Sequence, residues 1–92
     1  MTRLKKNEQQ LLLKRFGYKL AVLRAREHMS VRFLAAMTRV DPKEIYKYER
    51  GLVNPSLVTI ASLAYALNVE PRELLIFEDP QAYKQLHRNQ KK

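Results

Sequence analysis

Ninety-two residues bound the chain to one small domain, and 46% hydrophobic residues supply a modest core rather than a large substrate cavity. The absence of cysteine excludes disulfides and thiolate metal sites, and His28 and His87 alone are too few ligands for a zinc cluster. The formal charge of +9, from 18 Lys+Arg against 9 Asp+Glu, comes without a transmembrane-length apolar run or a signal-peptide core, so a soluble cytoplasmic protein is expected.

In chain order every segment reads as helix. Residues 1–14 form a basic extension with helical character. Leu13, Phe16, Leu20 and Leu23 then recur at spacings of three and four, one stripe of a first helix that runs to about His28. Ser30 is a good N-cap for a short second helix, in which Val31, Leu34, Ala35 and Thr38 share a face. Asp41 caps a third, with Pro42 at the first position, where a missing N–H costs nothing. Glu44, three residues after the cap, completes the pattern of a capping box. Ile45 and Tyr48 give this helix its apolar face, and Gly51 ends it. After the Asn54-Pro55 loop, Ser56 caps a fourth helix with Leu57, Ile60, Ala61, Ala64 and Leu67 spaced as a buried stripe, ended by Asn68. Pro71 opens a short fifth helix, Arg72 to Phe77, and Asp79-Pro80 repeats the start signal for a frayed helix over 80–88 within a basic tail, 79–92. Strand alternation, sequence repeats and low-complexity segments are absent. The fold class is all-α, with one domain over residues 15–78.

Charge is distributed unevenly. Residues 1–50 hold 13 basic against 5 acidic groups, a net of +8, while residues 51–78 have a net of −2. Such asymmetry points to a polyanion-facing side, most simply nucleic acid. A basic protein with merely solubilising charge is the alternative that charge alone leaves open.

Only Arg39, Val40 and Asp41 separate the second helix from the third, and so short a link forces a steep crossing, the helix-turn-helix unit. Val40 and Ile45 fill the inside of that corner with Leu34. Lys43, Tyr46, Lys47 and Arg50 are left outward, and an outward basic helix on a rigid corner fits the DNA major groove.

Phe16 to Phe77 resembles the lambda-repressor-like helix-turn-helix domain, the Cro and XRE-type group. The resemblance rests on "FGYKLAVLR", "MS..LA", "V...I..YERG", "NPSLVTIASLAYALNV" and "ELL", in that order and spacing. It implies a compact fold of four or five helices, with further helices at the termini, that binds operator DNA as a homodimer. It further implies that Lys43 and Lys47, with Tyr46 between them, read bases, and that Arg50 contacts phosphate. Ser30, Arg32, Arg39 and Asn54 are assigned to the DNA backbone. Arg24 and Glu49 match a salt bridge that ties the first helix to the third. Three positions depart from the pattern: Val31 replaces a phosphate-contacting glutamine, Arg39 a turn glycine, and Pro42 a residue that commonly reads a base.

Simpler roles exist for each of these residues. Lys43 and Lys47 could only solvate a helix face, Tyr46 could pack on a neighbour, and His28 suits a helix C-terminus. No catalytic set is discernible: the two histidines lie far apart, and no phosphate loop or carboxylate cluster is present. No cofactor, metal, membrane partner or small-molecule ligand is expected. The reading is therefore a sequence-specific regulator of transcription, a repressor at the nucleoid that binds double-stranded DNA as a homodimer. Two rivals are a protein-interaction module (an antitoxin or adaptor) that keeps the fold with weak sequence reading, and a basic RNA-binding or membrane-surface domain. For a dimer interface the surplus apolar residues around Pro71, Leu74, Leu75 and Phe77 are the candidates, with Leu11 and Leu12 and a tail face of Tyr83 and Leu86 as further cover.

Overall fold

The computed structural model describes residues 3–77. Four helices follow one another: α1 Lys6–Arg26, α2 Val31–Thr38, α3 Pro42–Glu49 and α4 Leu57–Ala66, then a 3₁₀ turn, Pro71–Leu75, where the spacing predicts a fifth helix over 72–77. Among the described residues there is no strand. The helix expected over 80–88, with Tyr83 and Leu86, lies outside them.

α1 is a single 21-residue helix, so residues 6–14 continue into the core stripe without a break. Its start is closed by the Lys5 N–H, which donates to Glu8 Oε1 at 2.7 Å and places an anion on the positive end of the helix. The three predicted side-chain caps form. Ser30 Oγ accepts from the Phe33 N–H at 3.0 Å, Asp41 Oδ1 from the Lys43 N–H at 2.8 Å, and Ser56 Oγ from the Thr59 N–H at 3.1 Å.

All four helices end by the same device. A residue in the left-handed region follows each helix: His28 (φ 58°), Arg39 (φ 59°), Gly51 (φ 71°) and Asn68 (φ 61°). The next N–H in each case reaches back to a carbonyl five residues earlier: Met29 to Arg24, Val40 to Ala35, Leu52 to Lys47 and Val69 to Ala64, at 2.9–3.2 Å. This is the Schellman arrangement, which satisfies orphan carbonyls at the helix end. Arg39 thus adopts the conformation for which glycine is the usual choice, and the turn keeps its geometry with an arginine in it.

The core is one cluster. Leu20, Leu23, Leu34, Ile45, Leu63, Leu67 and Leu74 are fully buried, and each such side chain contributes about 1.5–3 kcal/mol of burial free energy. Phe16, Ala35, Tyr48, Ala64 and Ala66 complete it, and Val31 and Val40 pack against its edge. Two expectations fail here. Leu57 is 76% exposed, and Leu63 and Ala66 are buried in its stead. The buried stripe of α4 is rotated by about 60° from the predicted one, because the helix is apolar on nearly every side and periodicity alone cannot choose the face. Leu74, expected on an interface, is fully buried in the monomer; Leu75 and Ile76 remain half-exposed.

Candidate nucleic-acid interface

α3 is positioned from behind by α1. Gly17 lies so close to α3 that an added Cβ would sit 2.4 Å from the Tyr48 carbonyl oxygen and 2.5 Å from that of Glu49. Gly51, just past α3, faces back: a Cβ there would be 2.8 Å from the Cα of Lys14. The chain has two glycines, and both admit the same contact, α1 against α3.

The expected Arg24–Glu49 pair forms and is bidentate. Arg24 Nε donates to Glu49 Oε2 at 2.7 Å and Nη2 to Oε1 at 3.1 Å, while Nη1 donates to the Met29 carbonyl at 2.8 Å. One guanidinium therefore joins the end of α1, the entry to α2 and the last turn of α3. The hydrogen bond to Glu49 raises the Arg24 pKa above its ordinary value, outweighing desolvation, which lowers it. The side chains are 21% and 10% exposed, so water screens the pair only in part.

With Ile45 and Tyr48 buried, the helical period leaves Lys43, Tyr46, Lys47 and Arg50 on the opposite face, and all four are exposed. Asp41 fixes where that face begins by capping the Lys43 amide. Arg39 is exposed in the turn before α3, and Ser30 and Arg32 are exposed at the start of α2. The Ser30 hydroxyl oxygen is already an acceptor for Phe33, which leaves its proton available to donate to an anion. Asn54 is exposed in the loop that leads to the Ser56 cap. Val31 is half-buried against the core, so the position of the usual glutamine serves packing here. Among the described residues no carboxylate pairs with Arg32, Arg39, Lys43 or Arg50.

Glu44 departs from expectation. Its carboxylate does not return to the Asp41 N–H as a capping box requires. Instead Oε2 lies 3.6 Å from Lys47 Nζ, an i,i+3 pair on the flank of α3, with side chains 42% and 51% exposed. Helical spacing alone contained this pair; the stronger cap pattern drew Glu44 to the other partner.

No group of three or more metal-ligating side chains occurs among the described residues, and no described helix is long and apolar enough to cross a membrane.

Similarity to known proteins agrees with this geometry. The restriction-modification controller protein C.AhdI from Aeromonas hydrophila is 44% identical, with a TM-score of 0.66 over 67% of this chain and 94% of that one. The clp gene regulator ClgR from C. glutamicum is 28% identical, with a TM-score of 0.69 over 82% and 91%. The hypothetical transcription factor NHTF from Neisseria is 25% identical, with a TM-score of 0.72 over 84% and 86%. No curated protein matches the sequence. The family model HTH_3, helix-turn-helix, matches residues 20–74, more than half of the chain. The chain belongs to this helix-turn-helix family and is a DNA-binding regulator.

Proposed function

We propose that α3 enters the major groove of duplex DNA, where Lys43, Lys47 and Tyr46 read base edges, while Ser30, Arg32, Arg39, Arg50 and Asn54 hold the sugar-phosphate backbone. The protein acts by binding, as a homodimeric repressor in the cytoplasm at the nucleoid. The observation that carries this reading is the two-sidedness of α3. Its inner face is fixed to α1 through Gly17 and the Arg24–Glu49 pair, and its outer face presents cations and a tyrosine to solvent. A helix held so firmly and exposed so fully suits insertion into a groove wide enough to admit it. The identity to a restriction-modification controller protein supports a regulatory role. Arg39 in the left-handed turn preserves the corner, which weakens the case for a module that has lost DNA reading.

Selection of preferred sequences from a random duplex library tests the assignment. Lys43→Ala relaxes preference at one or two base pairs and costs on the order of 1–3 kcal/mol, whereas Arg39→Ala weakens all sequences alike and lowers the salt slope by about 1. A Lys43→Ala protein that selects the same sequence with unchanged affinity refutes the reader assignment. For the homodimer, we infer an interface that includes Leu75 and Ile76, away from the reading face. A full-length chain that sediments as a monomer at high micromolar concentration, and binds DNA one-to-one, refutes it.

A further inference from the structure

Of the cations on the outer face of α3, Lys47 alone has a carboxylate beside it: Glu44 Oε2, 3.6 Å from its Nζ. The pair is close to electrically neutral, so its attraction to phosphate is small compared with that of Lys43, Arg39 or Arg50. It remains strongly dipolar, with three ammonium donors next to an acidic acceptor. Neither group is spent on the fold. The capping role of Glu44 is left unfilled, and both side chains are more than one-third exposed.

A G·C base pair presents the complementary pattern to the major groove. Guanine offers O6 and N7 as acceptors, and cytosine offers one proton of its N4 amine. Guanine O6 and cytosine N4 are joined by a Watson–Crick N–H···O bond and so lie about 2.9 Å apart. An ammonium and a carboxylate oxygen held 3.6 Å apart match that edge in sign and in span.

We propose that Glu44 and Lys47 act as one reading unit for a single G·C base pair, Lys47 donating to guanine O6 or N7 and Glu44 accepting from the cytosine N4 amine. The proposal rests on α3 lying in the major groove, and it adds Glu44 to the groups that determine specificity. Reversing the base pair, or replacing it by A·T, sets the carboxylate against an acceptor. Glu44 therefore discriminates by repulsion as well as by attraction. Its charge also weakens binding to arbitrary DNA, since a carboxylate on this face repels phosphate.

The test is selection from a random duplex library, with affinities for selected and scrambled duplexes, using the full chain and its Glu44→Ala, Glu44→Gln, Lys47→Ala and double Ala variants. The wild type is expected to demand G·C at one position. Glu44→Ala and Lys47→Ala each relax that same position by about tenfold. The double variant loses no more than either single change. Glu44→Gln, whose amide oxygen still accepts, keeps part of the preference. Glu44→Ala binds scrambled duplex at least as tightly as the wild type. An unchanged preference in Glu44→Ala, at a position that Lys47→Ala relaxes, overturns the proposal, as does relaxation of two different positions. If Lys43→Ala and Lys47→Ala both leave selection untouched, the reading helix itself is misassigned and the Glu44 role falls with it.

Discussion

α3 and α4 are both short capped helices, yet the monomer finishes only one of them. α3 has one apolar side, Ile45 and Tyr48, and the core takes all of it. α4 has two. Leu63, Ala64, Ala66 and Leu67 lie inside, while Val58 and Tyr65 stand 75% and 88% exposed and border an open groove with Met37 and Arg39. The contrast shows that hydrophobic content does not measure what a helix does for the fold. The period of the pattern does, and only where polar residues mark the other face.

The largest effect expected on the α3 side comes from Gly17→Ala. The new methyl meets two backbone carbonyls that cannot swing aside, and stability falls by on the order of 3 kcal/mol in urea unfolding. A loss under about 1 kcal/mol means that α3 is less tightly seated than the contact implies. Next, Glu49→Ala leaves the Arg24 guanidinium without its carboxylate. With partial exposure allowed for, the cost is about 2 kcal/mol, and the Arg24→Met, Glu49→Leu double change costs less. A double loss equal to the sum of the two single losses would show that the pair is uncoupled. Arg39→Gly separates stability from binding. Relief of the left-handed conformation, offset by a freer unfolded chain, raises stability by about 0.5 kcal/mol, while affinity for every duplex falls. Smallest is Tyr65→Lys on the open face of α4, which changes monomer stability by less than about 0.5 kcal/mol in thermal unfolding. A larger loss there would erase the contrast between the helices.

Much of this was legible in the residues. Ser30, Asp41 and Ser56 announce helix starts by local chemistry, and each forms the cap it predicts. The three-residue corner follows from chain length alone. The Arg24–Glu49 pair spans 25 positions, so no local rule reaches it, and it entered through family resemblance. What stayed hidden was of two kinds. Leu57 and Leu74 were misplaced because a segment rich in apolar residues does not say which of them the core selects. Glu44 was misassigned because one carboxylate faced two partners, the Asp41 amide and the Lys47 ammonium, and spacing does not weigh them. His28 and Asn68 carry the same left-handed stop as Gly51, and asparagine was the better signal because its short polar side chain tolerates that region.

Both glycines of the chain lie in the seam between α1 and α3, Gly17 against the Tyr48 and Glu49 carbonyls and Gly51 against Lys14. Side chains can tilt and cushion; peptide groups in contact cannot. In mechanical terms α1 is a shaft about 31 Å long, with α3 seated against its side through main-chain contacts. A load on α1 at Gly17 therefore bears on the main chain of α3 at Tyr48 and Glu49 directly.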